Sequence, residues 1–125
     1  MKAAYFDCFA GAAGDMVVGA LVDAGAPPRA LLTAFERLGL SGYSVRFQTD
    51  RRGPVAGTRF IVETLSPAGP GRSLKDILEI IGRAGLSPRV AEGAAAVFRR
   101  LAEAEARVHG TDVGAVHFHE VGALD

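Results

Sequence analysis

The sequence predicts an α/β fold, a two-layer sandwich of helices on a small mixed sheet, in the order β-α-α-β-β-α-α-β. Three observations carry this. Tyr43, Val45, Phe47 and Thr49 alternate with Ser44, Arg46, Gln48 and Asp50, which is the period of a half-buried strand. Several stretches show helical apolar spacing, opened by prolines or capping residues and closed by glycines. Short apolar runs at 3–9 and 116–121 read as buried strands near the two ends of the chain. Helices layered on a sheet cover the apolar sides of both kinds of element.

Taken in order, residues 3–9 form an apolar run with aromatics, bounded by glycines. Gly11 and Gly14 then turn the chain into a helix over 15–24. Met16, Val17, Ala20, Leu21 and Ala24 share one side of it, and Val18 and Val22 make it apolar nearly all round, so deep burial is expected. Gly25 is a helix stop, and Pro27-Pro28 suits the first turn of the next helix, where the missing N–H has no helical partner in any case. Leu31, Leu32, Phe35 and Leu38 give that helix an apolar stripe ending at Gly39. After the strand at 43–49, Gly53-Pro54 and Gly57 mark a turn or loop, and residues 58–64 read as the antiparallel partner. Residues 65–72, with two prolines and two glycines, read as a flexible loop. Ser73 with Asp76 matches a capping box at the start of a helix reaching about Gly82. Ser87-Pro88 is a cap followed by proline, opening a helix to His109 that is expected to turn Val90, Ala94, Val97, Phe98, Leu101 and Val108 inward.

Bulk properties bound the function. At 125 residues, with 49% apolar residues and zero formal net charge, the chain suits one globular domain with no general attraction to nucleic acid or anionic membrane. Arg51-Arg52 and Arg99-Arg100 are the only adjacent arginine pairs. One cysteine, Cys8, excludes an intrachain disulfide. The opening lacks the basic-then-apolar pattern of a signal peptide, and charge or glycine interrupts every apolar stretch before spanning length. A cytoplasmic protein is expected. The chain stops at Asp125 directly after a strand-like run with no polar tail, so the sequence is expected to be a fragment.

Two segments carry chemistry. In the first, 7–16, the chain would run from a strand end through glycines into a helix. Backbone N–H groups at such a start favour an anion, and Gly11 and Gly14 would let a phosphate approach closely. Asp7 would lie at the strand's C-terminal end, where α/β proteins place ligand groups, and Asp7 and Asp15 could hold a cation or manage protons. The spacing matches neither of the common glycine-rich nucleotide loops. The alternative is a plain tight turn, with Asp15 satisfying the helix dipole and Cys8 serving as a small buried hydrophobe.

The second segment is His117-Phe118-His119-Glu120. Residues two apart on a strand share a face, so both imidazoles can meet one ion, and imidazole suits nickel, zinc, copper and iron. Asp125 has the same parity if the strand continues, and Glu120 is placed to support the ligands from behind. The alternative is a pair of half-buried histidines at a strand end. His109, closing its helix, reads as a C-terminal cation rather than a ligand.

Together these segments resemble the nickel-insertion proteins of nickel-pincer cofactor biosynthesis, the LarC family. The resemblance rests on Asp7-Cys8-Phe9, Gly11, Gly14-Asp15-Met16, Gly19-Ala20-Leu21 and Asp23-Ala24-Gly25. It continues through Arg52-Gly53, Gly57, Ser73-Leu74-Lys75-Asp76-Ile77 and the run 100–106. Val108-His109-Gly110 and the motif at 116–123 with Asp125 complete it. It implies the N-terminal domain, residues 1–125, of a lyase-type nickel chelatase. Such proteins insert nickel, as substrate ion, into pyridinium-3,5-bisthiocarboxylic acid mononucleotide, consuming CTP with manganese or magnesium. The product serves lactate racemase-type apoenzymes. Individual roles are assigned from the residues, not by the family pattern: Asp7 and Asp15 are the candidate catalytic residues, and Gly11 and Gly14 the substrate-phosphate cradle. His117, His119, Glu120 and Asp125 are the candidate metal ligands. Residues 64–72 hold no histidine where the family often has a histidine-rich stretch, and Ala10 stands where the family usually has serine. The family chain continues into a C-terminal domain associated with CTP, without which the fragment is expected to be inactive. A non-catalytic docking and assembly role and a metal-dependent phosphohydrolase are the alternative functions, and a homo-oligomer is a candidate assembly.

Overall fold

A computed structural model describes residues 3–9, 11–65 and 71–118. Two helices, α1 (Gly14–Asp23) and α2 (Pro28–Glu36), precede a hairpin of β1 (Tyr43–Arg52) and β2 (Val55–Thr64). A short strand β3 (Arg72–Ser73), helices α3 (Leu74–Arg83) and α4 (Pro88–His109), a 3-10 turn at Val113–Ala115 and strand β4 (His117–Phe118) follow. The mixed α/β class and the order of elements from residue 14 onward agree with the sequence reading.

The hairpin forms because its alternation is strict and its turn is well supplied. Register runs unbroken from Tyr43 opposite Thr64 to Arg52 opposite Val55. Gly53 takes φ +59 at the first central position of the turn and Pro54 fixes the second, the sign pattern that matches strand twist. One face carries Phe47 and Phe60, with ring centroids 5.2 Å apart, and Phe35 of α2 stacks on Phe60 at 5.3 Å. The opposite face is polar. There Arg46 donates to Glu63 at 2.8 Å and to Gln48 at 2.6 Å.

Helix α1 lies along the outer edge of β2. Gly19, its one buried residue, sits so close that a Cβ there would be 2.3 Å from the Thr58 carbonyl oxygen. One turn later the Asp23 carboxylate accepts the Thr58 N–H at 2.8 Å and the Thr58 hydroxyl at 2.6 Å. An edge strand's free backbone groups are thereby covered. The expectation of a deeply buried α1 is corrected, however. Met16 is 61% exposed, because only the Gly19–Asp23 side of the helix finds a partner.

The second packing unit is α3 against α4, with β3 and β4 paired antiparallel beside them. Its core is Ile77, Ile81, Ala102, Ala106, Val116 and Phe118. The capping box forms as read: Ser73 Oγ accepts the Asp76 N–H, and Asp76 accepts the Ser73 N–H at 2.9 Å. Pro88 opens α4 as expected, although the Ser87 side chain makes no cap bond. The inward face of α4 is corrected in part. Ala94, Phe98 and Leu101 pack on the core, but Val90, Val97 and Val108 are exposed, and Ala95, Ala102 and Ala106 take the buried positions. Methyl-sized side chains let the helices approach closely, which hydrophobicity alone does not reveal.

Two further differences concern the sheet. Among the described residues the strands form two two-stranded antiparallel sheets instead of one mixed sheet. Residues 3–9 are neither helix nor strand and all are exposed, Cys8 included. Among the described residues no strand pairs with them, and α1 covers the outer edge of β2. The last expected strand begins at His117, and its part beyond Phe118 lies outside the described residues. So do residues 66–70 of the expected loop. An apolar cleft of about 350 Å³ lies between the units, lined by Phe35, Tyr43 and Phe60 on one side and by Ile80, Leu86 and Phe98 on the other.

Candidate functional site

The first candidate segment is held by a turn. Gly11 adopts φ +83, a conformation cheap only for glycine, and its N–H donates to the Cys8 carbonyl at 2.9 Å. Gly14 then opens α1, whose N-cap, Ala13, contributes no side-chain bond. A Cβ at Gly11 or Gly14 would meet nothing within 4 Å, so the fold imposes no steric demand for glycine at Gly14. Asp7 is exposed. Asp15, also exposed, accepts the Met16 N–H at 2.8 Å.

Asp15 lines a groove of about 430 Å³ between α1 and the hairpin tip, together with Asp23, Asp50, Arg51, Arg52 and Arg59. All three of its carboxylates are engaged, Asp15 by the Met16 N–H. Asp50 pairs with Arg59 at 3.3 Å, and Asp23 is bound by Thr58. Those Thr58 hydrogen bonds, from the hydroxyl first and the N–H second, hold the Asp23 carboxyl below its ordinary 3.8. A folded value below the unfolded one gives a contribution that is complete above pH 3.8 and is lost as the pH falls through the lowered value. The Asp23 carboxyl carbon and the Thr58 amide proton should therefore titrate together below pH 3.8 in an NMR acid titration. Asp23→Asn should abolish that step.

The second candidate segment begins on β4. His117 is exposed and lies in register opposite Ser73. Its strand is anchored by the buried Phe118, which meets Phe98 edge-on at 6.1 Å. His117 thus stands beside the α3 capping box. The Ser73 hydroxyl and N–H hold the Asp76 carboxyl below its ordinary range, with smaller contributions from Lys75 and His117. Asp76 is a residue that sequence reasoning treated only as a cap. Its Ser-x-x-Asp spacing signalled the helix start but not its neighbour across the sheet. His109 ends α4, its Nε2 3.2 Å from the Glu105 carboxylate.

His119, Glu120 and Asp125 lie outside the described residues. Among the described residues no three His, Cys, Asp or Glu side chains gather as a metal site, and no helix is long and apolar enough to cross a membrane. The structure joins Asp15 to the arginine-lined groove and His117 to Asp76.

The chain belongs to the nickel insertion protein family, whose family model matches residues 4–125. A relative from Geobacter sp. (strain M21), provisionally named a nickel insertion protein, is 51% identical over the whole of this chain and 32% of its own length. One from Syntrophobacter fumaroxidans with the same provisional name is 49% identical, again over all of this chain and 32% of its own. A third, from Desulfitobacterium hafniense (strain Y51), is named pyridinium-3,5-bisthiocarboxylic acid mononucleotide nickel insertion protein. It is 46% identical over all of this chain and 31% of its own. The chain therefore spans about a third of the length of the curated relatives it matches. No solved structure matches it.

Proposed function

We propose that this chain is the N-terminal, nickel-handling domain of a CTP-dependent chelatase that inserts nickel into pyridinium-3,5-bisthiocarboxylic acid mononucleotide. The observation that carries the reading is the family match across nearly the whole chain, which includes both chemical segments. In this reading His117 and His119 supply imidazole nitrogens to the incoming nickel, with Glu120 and Asp125 adding or orienting oxygen donors. Gly11 and Gly14 leave room for the mononucleotide phosphate. Forming a nickel–carbon bond at the pyridinium ring displaces a ring proton, and Asp7 or Asp15 accepts it.

CTP and a manganese or magnesium ion belong to the full reaction under this proposal. The described residues do not fit such a resident ion, since no three ligating side chains gather among them. The whole reaction belongs to the longer family chain. The setting is proposed to be cytoplasmic, and the product is passed to lactate racemase-type apoenzymes.

Isothermal titration of nickel into the wild-type chain and into His117→Ala tests the metal assignment. The variant should bind at least about tenfold more weakly. Equal affinities would remove His117 from the site.

A further inference from the structure

Residues 3–9 combine features that do not belong together in a finished surface. Tyr5 and Phe9 are 91% and 93% exposed, and Phe6 is 44% exposed. The only hydrogen bond from this backbone among the described residues runs from Gly11 N–H to the Cys8 carbonyl. Alanines, aromatics and cysteine make up all of the segment except Asp7, a composition that favours strands and gains most from burial. Nor is the segment a stray tail, because the family match begins at residue 4. Within this chain the outer edge of β2 cannot accept it, because α1 covers that edge through Gly19 and Asp23.

We propose that residues 3–9 are a strand that docks, by backbone pairing, onto a sheet in the further polypeptide carried by the longer family members. The occupant follows from length. Each relative matches this chain in full and has about twice as much polypeptide again. A partner in the same chain acts at high effective concentration, so an unpaired strand can be completed without a strong interface of its own. Strand addition satisfies the open N–H and C=O groups, while alternate side chains fill pockets on the two faces. Tyr5, Asp7 and Phe9 would then face one side of the sheet, and Phe6 and Cys8 the other. Docking would fix Asp7 in place and complete the first candidate segment. The strand's docking is independent of nickel binding.

The test uses this chain and the whole Geobacter relative. Hydrogen exchange at residues 3–9 should be near the unstructured rate in this chain. In the relative, the aligned segment should be slowed by at least about a hundredfold. A photo-crosslinking residue placed in the relative at the position aligned with Tyr5 should couple to the same molecule, outside the portion matched by this chain. Equal exchange in the two proteins would overturn the proposal, as would coupling within the matched portion or to a second copy. Neither readout involves nickel, so failure of the strand and failure of the metal assignment are distinguishable.

Discussion

Gly19→Ala is expected to destabilise the chain by about 1–3 kcal/mol, the range for inserting a group where no space exists. The sign is not obvious, because replacing a helical glycine with alanine ordinarily stabilises by ~1 kcal/mol. Distance decides it. The added Cβ would lie 2.3 Å from the Thr58 carbonyl oxygen, and that neighbour is backbone held in the hairpin ladder, not a movable side-chain tip. Relief requires α1 to lift from β2, which also stretches the Asp23 bonds to Thr58. Gly93→Ala in α4 is the control. A Cβ added there would meet nothing within 4 Å, so the substitution should stabilise by about 0.5–1 kcal/mol. Urea unfolding of the two variants should move in opposite directions from wild type.

Phe118→Ala should cost about 3–5 kcal/mol, the range for removing a buried aromatic ring. Phe118 is 4% exposed and packs with Ile77, Ile81, Ala102, Ala106 and Val116, meeting Phe98 edge-on. Against a typical total stability of about 5–15 kcal/mol, that loss is large. It also bears on function. Among the described residues β4 pairs with β3 at two positions, and the buried Phe118 ring anchors the strand in the core. Once the anchor is lost, His117 is no longer held opposite Ser73. Denaturant unfolding should show the loss in midpoint, and the His117 ring resonances should shift toward those of a disordered histidine.

Signals contained within a few residues were legible in the sequence. The 43–49 alternation, the Gly53-Pro54 turn, the Ser73–Asp76 box and Pro88 at the start of α4 all specify local geometry, and each appears where it was read. What failed depended on partners. Residues 3–9 have the composition of a strand but pair with no strand among the described residues. α1 is apolar around most of its surface, yet only the side bearing Gly19 and Asp23 meets the hairpin. In α4 the alanines are buried and three valines are exposed, since close helix approach selects for small size over hydrophobicity. The resemblance motifs divide in a similar way. Gly19, Asp23 and Gly57 gather where α1 meets β2: a Cβ at Gly57 would lie 3.4 Å from the Asp23 carboxylate. Their role in the fold is thus explicit, whereas a Cβ at Gly14 would meet nothing within 4 Å. The Asp76–His117 proximity was illegible because 41 positions of sequence separate the two residues, and only the β3–β4 register brings them together.

If the segment beginning at His117 holds nickel through paired imidazoles, the metal's own coordination shell must show them. X-ray absorption at the nickel edge, on the chain loaded with one equivalent of nickel, reads that shell directly. The wild type should give the scattering pattern of two imidazole rings per nickel, and His117→Ala that of one. Identical spectra from the two proteins, with no imidazole pattern in either, would contradict the assignment.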